Sequence, residues 1–424
     1  MTSPSIENRL SSLALHGGPP VRSKPFPPRG LIGPEEKAAL DALLERAIAG
    51  GIAPGYNGDE ENAYCEEFAA FMGGGYVDAV SSGTAGIYAA LKALDLEPFT
   101  EVIVSAVTDP GGMMPIPLLN LIPMIADTAP GNYNTGPEQV EALISPRTSA
   151  IVVAHIGGEP ADIEGIVAIA HEHGLPVIED CSQAHGARLN GALVGAFGDI
   201  GVFSTMFGKH HCTGGQGGLV YTRDEKLYQA IRRASDRGKP FFLPTGSTNV
   251  VAALNFNLSD LAAAIGRVQL KKLPGIISRR RAIVARIGEG IRDLETVSIP
   301  EPIKGAEPSY WFLRMRFHAE RATCTRKTFC EALAAEGLPI TPDYRVAMPH
   351  TMEWFVKRRV FGNSGYPWAS PAYTGDPNRQ FPCPHANAAM DTHFNLNFHE
   401  NWGDEEIAAA IAIFKKVDAA YRRL

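Results

Sequence analysis

Short apolar runs alternate with segments of helical periodicity through the first part of the chain. The runs are typical of strands buried on both faces of a sheet, and they cover residues 102–104, 121–126, 151–154, 177–178, 200–203 and 219–221. Apolar residues at helical spacing predict helices over 34–49, from the turn 81–86 to Leu94, and over 163–173. This alternation predicts an α/β fold with a mainly parallel sheet that helices cover on both sides.

Beyond Ser259 the pattern changes. Residues 348–383 are rich in proline, glycine and aromatic residues and predict no regular element, which in a compact protein indicates a packed or functional loop. The other predicted elements are a helix over 260–273 that ends at Pro274, a second helix over 276–294, a strand over 310–317, a helix over 325–336 and a closing helix over 404–424.

The patterns divide the chain into three predicted parts. These are an N-terminal arm over residues 1–33, a large α/β domain over 34–273 and a smaller α+β domain over 274–424. Glycine and proline punctuate the arm, which predicts little regular structure there. Such arms often lie on a partner subunit.

Composition is that of an ordinary soluble globular protein. The 424 residues are 45% hydrophobic and 20% charged, and the formal net charge of −7 argues against a nucleic-acid partner. Six scattered cysteines without a CxxC pair indicate neither a disulfide framework nor a zinc site, and no other metal site is expected. No secretion signal, targeting segment or membrane span is predicted, so a cytoplasmic location is expected.

Two residues with complementary chemistry follow neighbouring predicted strands. Asp180 ends one strand and Lys209 lies just past the next, so both face the carboxyl edge of a parallel sheet. A lysine amine forms a Schiff base with an aldehyde cofactor, and burial lowers its pKa from about 10.4 so that more of it is uncharged. An aspartate keeps a pyridine nitrogen protonated, and Gln183 is a donor for a ring oxygen. Pyridoxal phosphate needs all three groups.

A phosphate site is predicted at the turn over residues 81–86, because the free N–H groups at the start of a helix attract anions. Taken singly, each feature has an ordinary explanation: a solvated lysine, a capping aspartate, an N-cap serine without a ligand, and a glycine-rich turn at 214–218. Their order and spacing favour a pyridoxal phosphate site.

Several spaced motifs resemble the DegT/StrS family of pyridoxal phosphate-dependent aminotransferases, which act on keto-sugars and cyclitols. The resemblance covers nearly the whole chain. It rests on segments 15–22 (LHGGPPVR), 81–85 (SSGTA), 179–187 (EDCSQAHGA), 198–204 (GDIGVFS), Lys209, 214–218 (GGQGG) and 255–261 (NFNLSDL). It implies the type I aspartate-aminotransferase fold, with a large domain built on a mainly parallel, seven-stranded type of sheet and a smaller α+β C-terminal domain.

The resemblance also implies a role for each matching residue. Lys209 forms the internal aldimine with the cofactor and later moves a proton between cofactor and substrate. Asp180 binds the pyridine nitrogen and Gln183 lies near the ring oxygen. The remaining implied residues hold the phosphate: Gly83, Thr84, Ala85, Ser204 and, from the neighbouring subunit of a homodimer, Asn255.

The sequence departs from the family pattern at three places. The family usually has an aromatic residue that stacks on the cofactor where this chain has Asp109, and usually a basic residue where it has Asn257. Two histidines, His210 and His211, directly follow the lysine. They either tune the amine or substrate site or do neither, and His185 either packs under the cofactor or is satisfied by backbone hydrogen bonds.

The predicted activity is ping-pong transfer of an amino group from glutamate or glutamine to a keto-sugar or keto-cyclitol. Residues 387–401 resemble family members that act on cyclitols more than those that act on nucleotide sugars. Two alternatives stay open. One is an elimination or dehydration on the same scaffold, which Asp109 leaves possible; the other is a non-catalytic regulatory homologue, which the presence of Lys209, Asp180, Gln183 and Ser204 disfavours.

Overall fold

The structure is a computed structural model that describes the backbone of residues 6–423 and the side chains of residues 9–423. Residues 1–5 of the predicted arm and position 424 of the predicted closing helix lie outside the described residues. Across residues 6–423, no helix combines the length and the apolar character needed to cross a membrane.

The strands of the described chain are short and mostly buried, and they include every apolar run that the pattern assigned to the sheet. In chain order they are β1 Tyr76–Val80, β2 Glu101–Ser105, β3 Ile122–Ala126, β4 Thr148–Ala154, β5 Val177–Asp180, β6 Arg188–Leu189, β7 Ala192–Leu193, β8 Ile200–Ser204, β9 Gly218–Thr222, β10 Val297–Ser298, β11 Ala306–Glu307, β12 Leu313–Phe317, β13 Ile340–Thr341 and β14 His393–Leu396.

The helices cover the predicted helical segments and include others. They are α1 Ile6–Ser11, α2 Pro34–Gly50, α3 Asp59–Phe71, α4 Gly83–Ala93, α5 Pro110–Met113, α6 Pro115–Leu118, α7 Pro137–Glu141, α8 Ile163–Glu172, α9 Glu225–Ser235, α10 Asp260–Ile291, α11 Arg326–Ala335, α12 Glu353–Val356, α13 Pro384–Thr392 and α14 Asp404–Tyr421. Of these, α1, α3, α9, α13 and several single turns were not predicted.

Seven strands form one sheet in the order β1-β9-β8-β5-β4-β2-β3. The pairs from β8 through β5, β4 and β2 to β3 are parallel, and only β9 runs antiparallel to its neighbours β8 and β1. The predicted mainly parallel sheet is therefore confirmed. We call this sheet and the helices packed on it the large lobe.

A second unit packs around a four-stranded antiparallel sheet in the order β10-β12-β14-β13. Helices α11 and α14 and the C-terminal half of α10 close its core, in which Phe329, Phe394 and Phe414 are fully buried. We call this α+β unit the small lobe.

Helix α10 is continuous over 32 residues and contains Pro274. The predicted end of a helix at Pro274 is therefore wrong. A proline inside a helix costs about 3 kcal/mol because it removes one hydrogen bond and crowds the preceding turn. Residues on both sides of it, among them Leu273 and Ile276, are buried, and their packing supports the continuous helix at that position. The predicted domain boundary at 273/274 falls inside this helix and stays a prediction.

Residues 347–390, which we call the return segment, come from the predicted small domain but pack on the large lobe. Met348, Phe355, Trp368 and Met390 are buried in the same core as the seven-stranded sheet. The segment is irregular apart from α12, most of α13 and short turns, as its composition predicted. Tyr373 anchors it, since its hydroxyl donates to Glu101 Oε1 on β2 at 2.9 Å.

The arm packs on the small lobe of its own chain. Its N-terminal part contains helix α1, so the prediction of little regular structure is wrong there. Leu13 is buried in the small-lobe core. Glu336 accepts the N–H groups of Ala14 and Val21 at 2.9 and 2.8 Å, and Arg22 pairs with Glu405 and Glu406 at 2.9 and 3.1 Å. These contacts fix the described arm against its own subunit.

Helix α4 lies so close to the sheet that only glycine fits at position 86. A Cβ there would lie 2.7 Å from Val202 Cγ1 and 3.3 Å from Val220 Cγ2, both on buried, β-branched side chains. We expect Gly86→Ala to cost about 1–3 kcal/mol through overpacking, which outweighs a helix-propensity gain of about 1 kcal/mol.

The thermal unfolding midpoint measures this effect. Gly50→Ala is the matched control, because Gly50 is also helical but no atom lies within 4 Å of its Cβ position. The midpoint should fall for Gly86→Ala and stay level or rise for Gly50→Ala. Equal midpoints for the two variants would contradict the packing argument.

Candidate active site

The carboxyl edge of the large sheet gathers five of the eight predicted site residues around one cavity of about 230 Å³. β5 ends at Asp180, β8 ends at Ser204, and α4 begins at Gly83 just after β1. Lys209 lies in the segment between β8 and β9, residues 205–217, which we call the lysine loop. Gly83, Thr84, Asp180, Ser204 and Lys209 all line the cavity, together with Ser82, Asp109, Gly111, Gly112, Ser182 and Gln216.

Lys209 is buried, with 6% of its surface exposed. Its Nζ lies 4.1 Å from the centre of the Trp311 ring, in a cation–π contact. Burial lowers the pKa of the amine, and the carboxylates of Asp180 and Asp109 oppose this shift only in part. A larger fraction of the amine is therefore uncharged and nucleophilic at a given pH than for a solvated lysine.

Asp180 is the buried carboxylate of the cavity, with 7% of its surface exposed. Burial raises its pKa, although the hydrogen bonds from Ser182 and the charge of Lys209 oppose the shift. The Ser182 N–H donates to Oδ1 at 3.0 Å. A Cβ at Gly112 would come 3.0 Å from Oδ2 and 2.5 Å from Thr108 Oγ1, so glycine keeps the space in front of the carboxylate open.

The start of α4 is arranged as an anion site. Ser82 caps the helix by accepting the N–H of Ala85 at 3.0 Å. The N–H groups of Gly83 and Thr84, which come just before that of Ala85, have no acceptor within the helix. Ser204 lies directly against this turn, because a Cβ at Gly83 would come 2.8 Å from Ser204 Cβ. Helix dipole, amides and hydroxyl groups thus converge at one end of the cavity.

Three predicted site residues do not line the cavity of the described chain. The N–H of Ala85 is used in the helix cap. Gln183 is engaged elsewhere, since its Oε1 accepts the N–H of Gly157 at 2.8 Å and its Nε2 donates to the Tyr344 hydroxyl at 3.1 Å. Asn255 is exposed, and its Oδ1 accepts from the backbone N–H and the side-chain amide of Asn257 at 3.1 and 2.7 Å.

Asp109, at the position of the expected aromatic residue, stands exposed at the cavity rim. Its Oδ1 accepts the N–H of Gly111 at 2.8 Å and caps helix α5. The side chain is therefore turned toward the helix and gives the cavity a second negative charge in place of an aromatic face.

The three histidines near Lys209 lie behind the cavity wall rather than in it. His185 Nδ1 and His211 Nδ1 are 2.9 Å apart, and His211 Nε2 is 2.8 Å from the hydroxyl oxygen of Tyr64. His210 Nε2 is 3.1 Å from the carbonyl oxygen of Ser309, to which it donates. Burial lowers the pKa of all three, that of His211 to about 3, so they are neutral and serve to hold the loop.

A buried cluster of His155, Glu179 and Cys181 has potential ligand atoms within 4.8 Å of one another. Glu179 accepts four hydrogen bonds, from His155 Nε2 and from the N–H groups of Gly195, Phe197 and Gly198 at 2.7–3.0 Å. His155 Nδ1 accepts the N–H of Ala161 at 3.0 Å. The Glu179 oxygens are thus committed to holding the segment between β7 and β8 against β5, the strand that ends at Asp180.

Sequence reasoning missed Trp311, Tyr344 and Arg29, which come from the small lobe, its loop and the arm. Trp311 fell inside a predicted strand, but Tyr310 has a positive φ of 52° and β12 begins only at Leu313. No local pattern links these residues to Lys209. Ser182 and Gln216 were within reach of prediction, because both belong to motifs that already carry predicted residues.

The cavity fits pyridoxal phosphate: Lys209 suits the aldehyde, Asp180 suits the ring nitrogen, and the turn at α4 suits the phosphate. The open space that Gly83, Gly111 and Gly112 keep would be filled by any larger residue. Fold and site define the class of this protein as an aminotransferase. The chain belongs to the DegT/DnrJ/EryC1/StrS aminotransferase family, whose sequence model matches residues 35–415. This family implies pyridoxal phosphate as the cofactor.

Known proteins agree with this assignment. The chain is 31% identical over 349 residues to a putative L-glutamine:3-amino-2,3-dideoxy-scyllo-inosose aminotransferase of Streptomyces kanamyceticus, covering 81% of this chain and 82% of the relative. It is 34% identical over 291 residues to the L-glutamine:2-deoxy-scyllo-inosose aminotransferase of Streptomyces fradiae, covering 66% and 68%. An aminotransferase structure from Psychrobacter cryohalolentis matches with a TM-score of 0.78, 26% identity and coverage of 92% of this chain and 98% of that chain. The predicted family, fold and transamination are confirmed, against the elimination and regulatory alternatives.

Asp109→Asn tests the electrostatic role of the rim carboxylate. Asparagine caps a helix as well as aspartate does, so α5 is preserved while the charge is removed. Because Asp109 raises the pKa of Lys209, its removal lowers that pKa further. The pH midpoint for attachment of added pyridoxal phosphate, followed by its visible absorption band, should move to lower pH. Asp293→Asn, an exposed change in the small lobe, should leave the midpoint in place; a shift to higher pH for Asp109→Asn would contradict the argument.

Proposed function

We propose that this protein transfers the amino group of L-glutamine to the ketone carbon of a cyclitol, using pyridoxal phosphate bound covalently to Lys209. The observation that carries the proposal is one cavity holding a buried amine, a buried carboxylate and a hydroxyl-lined helix terminus. The donor and acceptor classes follow from the two Streptomyces relatives, which by their names act with L-glutamine on scyllo-inosose derivatives.

Lys209 and Asp180 carry the chemistry in this proposal. When bound, the cofactor carries the amino group between the two substrates and accepts electron density from the reacting carbon. The Lys209 amine holds the cofactor and, once displaced by the substrate amine, moves the proton at the reacting carbon. Asp180 keeps the ring nitrogen protonated, for which a buried carboxylate is well suited.

The remaining cavity residues orient the cofactor. The amides of Gly83 and Thr84 and the hydroxyl groups of Thr84, Ser182 and Ser204 are the donors available to a phosphate. Ala85 contributes by completing the helix cap. Gln183 lies outside the cavity lining and donates from Nε2 to the hydroxyl of Tyr344 in the small-lobe loop.

The working unit is, in this proposal, a homodimer with shared sites. Asn255 is exposed on its own chain, and Leu254 beside it is 54% exposed. Phe207 in the lysine loop is 67% exposed. Large apolar side chains exposed beside a site indicate a contact surface, and a two-fold contact brings each such patch against its partner. Asn255 then reaches the phosphate in the cavity of the neighbouring subunit.

We also propose a cytoplasmic location. The six cysteines, Cys65, Cys181, Cys212, Cys324, Cys330 and Cys383, are free thiols. Free thiols in this number fit a reducing compartment.

Lys209→Ala tests the central assignment. Wild-type protein mixed with pyridoxal phosphate should develop the visible band of a lysine-bound cofactor, and Lys209→Ala should not. Amino transfer should fall at least about a thousandfold, because the group that attaches the cofactor also moves the proton. Lys226→Ala, an exposed lysine on α9, is the control and should behave as wild type. An unchanged band in Lys209→Ala would remove the assignment.

Substrate classes are tested on the same cofactor-loaded protein. L-glutamine should convert the visible band to that of the aminated cofactor, and a keto-cyclitol should then restore it with stoichiometric gain of an amine. Restoration by nucleotide-linked keto-sugars alone would overturn the acceptor class and keep the aminotransferase. Failure of glutamine beside success of another amino acid would overturn the donor.

Mixed dimers test the shared site. Asn255→Ala should weaken binding of pyridoxal phosphate, and Lys209→Ala should abolish its attachment. Unfolding and refolding the two variants together should recover partial activity, because one site of each mixed dimer has both native residues. Each variant unfolded and refolded separately is the control. No recovery with verified mixed dimers would contradict the shared site.

A further inference from the structure

Arg29 of the arm reaches the backbone of the reactive lysine. Its Nη1 donates to the carbonyl oxygens of Gly208 at 3.3 Å and Lys209 at 2.6 Å, and its Nη2 donates to that of His210 at 2.9 Å. One planar guanidinium thus binds three successive carbonyl groups. Charge-assisted hydrogen bonds of this kind are about twice as strong as neutral ones. The lysine loop is held at the residue that carries the amine.

The guanidinium is itself fixed by a buried ion-pair network. Arg29 Nε donates to Glu400 Oε1 at 2.8 Å, and Arg280 Nε donates to Glu400 Oε2 at 2.9 Å. Burial alone would raise the pKa of Glu400, but the charges of Arg280 and Arg29 outweigh it and lower the pKa. Arg280 continues the network into the small lobe, since its Nη1 donates to the carbonyl oxygens of Tyr310, Trp311 and Phe398 at 2.8–3.3 Å.

Trp311 closes the network on the side of the amine. Its Nε1 donates to the carbonyl oxygen of Gly208 at 3.0 Å, and its ring faces Lys209 Nζ at 4.1 Å. The two arginines of the network therefore act at both ends of the Lys209 side chain. Arg29 binds the backbone of Lys209, and Arg280 binds the backbone of Trp311, whose ring the Lys209 amine touches.

We propose that Arg29 is a positioning residue for Lys209. The arm and Glu400 fix the Arg29 guanidinium, and Arg29 in turn holds the backbone of Lys209 where its amine can meet the cofactor. This inference rests on the proposed function of Lys209. Arg29 does not touch the reacting atoms and acts through the backbone of the lysine loop. Because Arg29 binds the carbonyl oxygens of Lys209 and its two neighbours, its loss frees the backbone from which the Lys209 side chain extends, and the amine is then held less closely at its target carbon. Misplacement by about 1 Å in such a site reduces rates by about a hundredfold.

Anchoring of the arm alone does not account for these contacts. Arg22 already ties the arm to the small lobe through Glu405 and Glu406, and none of its hydrogen bonds within the described residues goes to the lysine loop. Arg29 makes three further hydrogen bonds, all to carbonyl groups of the lysine loop. Arg22 therefore offers a matched control in which an arm arginine is lost and the lysine loop is untouched.

The experiment compares Arg29→Met, Arg29→Lys and Arg22→Met by two measurements. The first is amide hydrogen exchange over residues 205–217 without added cofactor. The second is the rate at which the visible band forms on mixing with pyridoxal phosphate, beside the equilibrium dissociation constant. Arg29→Met should speed exchange and slow attachment, each by about tenfold, as expected for losing at least one charge-assisted hydrogen bond.

Arg29→Lys should give an intermediate effect, because one ammonium keeps the charge beside Glu400 but cannot match a planar fork on three carbonyl groups. If Arg29→Met does not fold, Arg29→Lys serves as the test variant in its place. Arg22→Met should lower the unfolding midpoint and leave loop exchange and attachment within twofold of wild type.

Unchanged exchange and attachment in a folded Arg29 variant would overturn the proposal, and so would equal changes in Arg22→Met. The exchange measurement needs no cofactor. If the wild-type protein does not attach pyridoxal phosphate at all, the proposed function fails, while altered exchange over residues 205–217 would still show that Arg29 fixes this loop.

Discussion

A carboxylate buried between two guanidinium groups joins the parts of this protein around its reactive lysine. Glu400 and Arg280 have side chains that are each 2% exposed, and Arg29 completes the group from the arm. Taking such charges out of water costs several kcal/mol each, and removing one partner of a buried ion pair typically costs about 3–5 kcal/mol. The geometry is favourable because both carboxylate oxygens are paired and the remaining guanidinium donors end on main-chain carbonyl groups. This network therefore fixes the arm, the small lobe and the lysine loop relative to one another.

The cavity that this arrangement frames is electrostatically unusual. Burial lowers the pKa of Lys209 and raises that of Asp180, so it pushes both groups toward their neutral forms. A ligand that brings a carbonyl carbon to the amine and a protonated nitrogen to the carboxylate relieves both costs. The anion site at the start of α4 adds a third, directional contact. The site is thus matched to a molecule that carries these three groups at fixed separations, and this physical reason supports the cofactor that the family implies.

Much of this was predictable from sequence because it depends on local patterns. Apolar runs identified six strands of the large sheet, and the order of Asp180, Ser204 and Lys209 along the chain placed them at one sheet edge. β1 escaped because Asp78 interrupts its apolar run; that carboxylate is buried and accepts from Ser235 and Arg232. Propensity gave the wrong answer at Pro274, where packing on both sides outweighs the loss of one hydrogen bond.

Other features depend on contacts between distant segments, which no local pattern encodes. Trp311 lies about a hundred residues from the lysine it touches, and Arg29 lies 180 residues away from it. Gln183 was assigned to the ring oxygen from its spacing, yet its amide is shared between Gly157 and Tyr344, a loop residue of unpredictable placement. The same holds for Asp109, whose direction is set by the helix that it caps.

The return segment constrains both the relative motion of the two lobes and the exchange of one lobe for that of another protein in a chimaera. The chain leaves the large lobe along α10, comes back at residue 347, and departs again where α13 meets β14. A hinge opening would have to bend all three passages together while Tyr373 stays bonded to β2. For the same reason, a chimaera joined at a single point near residue 273 would strip the sheet of its cover and leave Phe355 and Trp368 without their native packing.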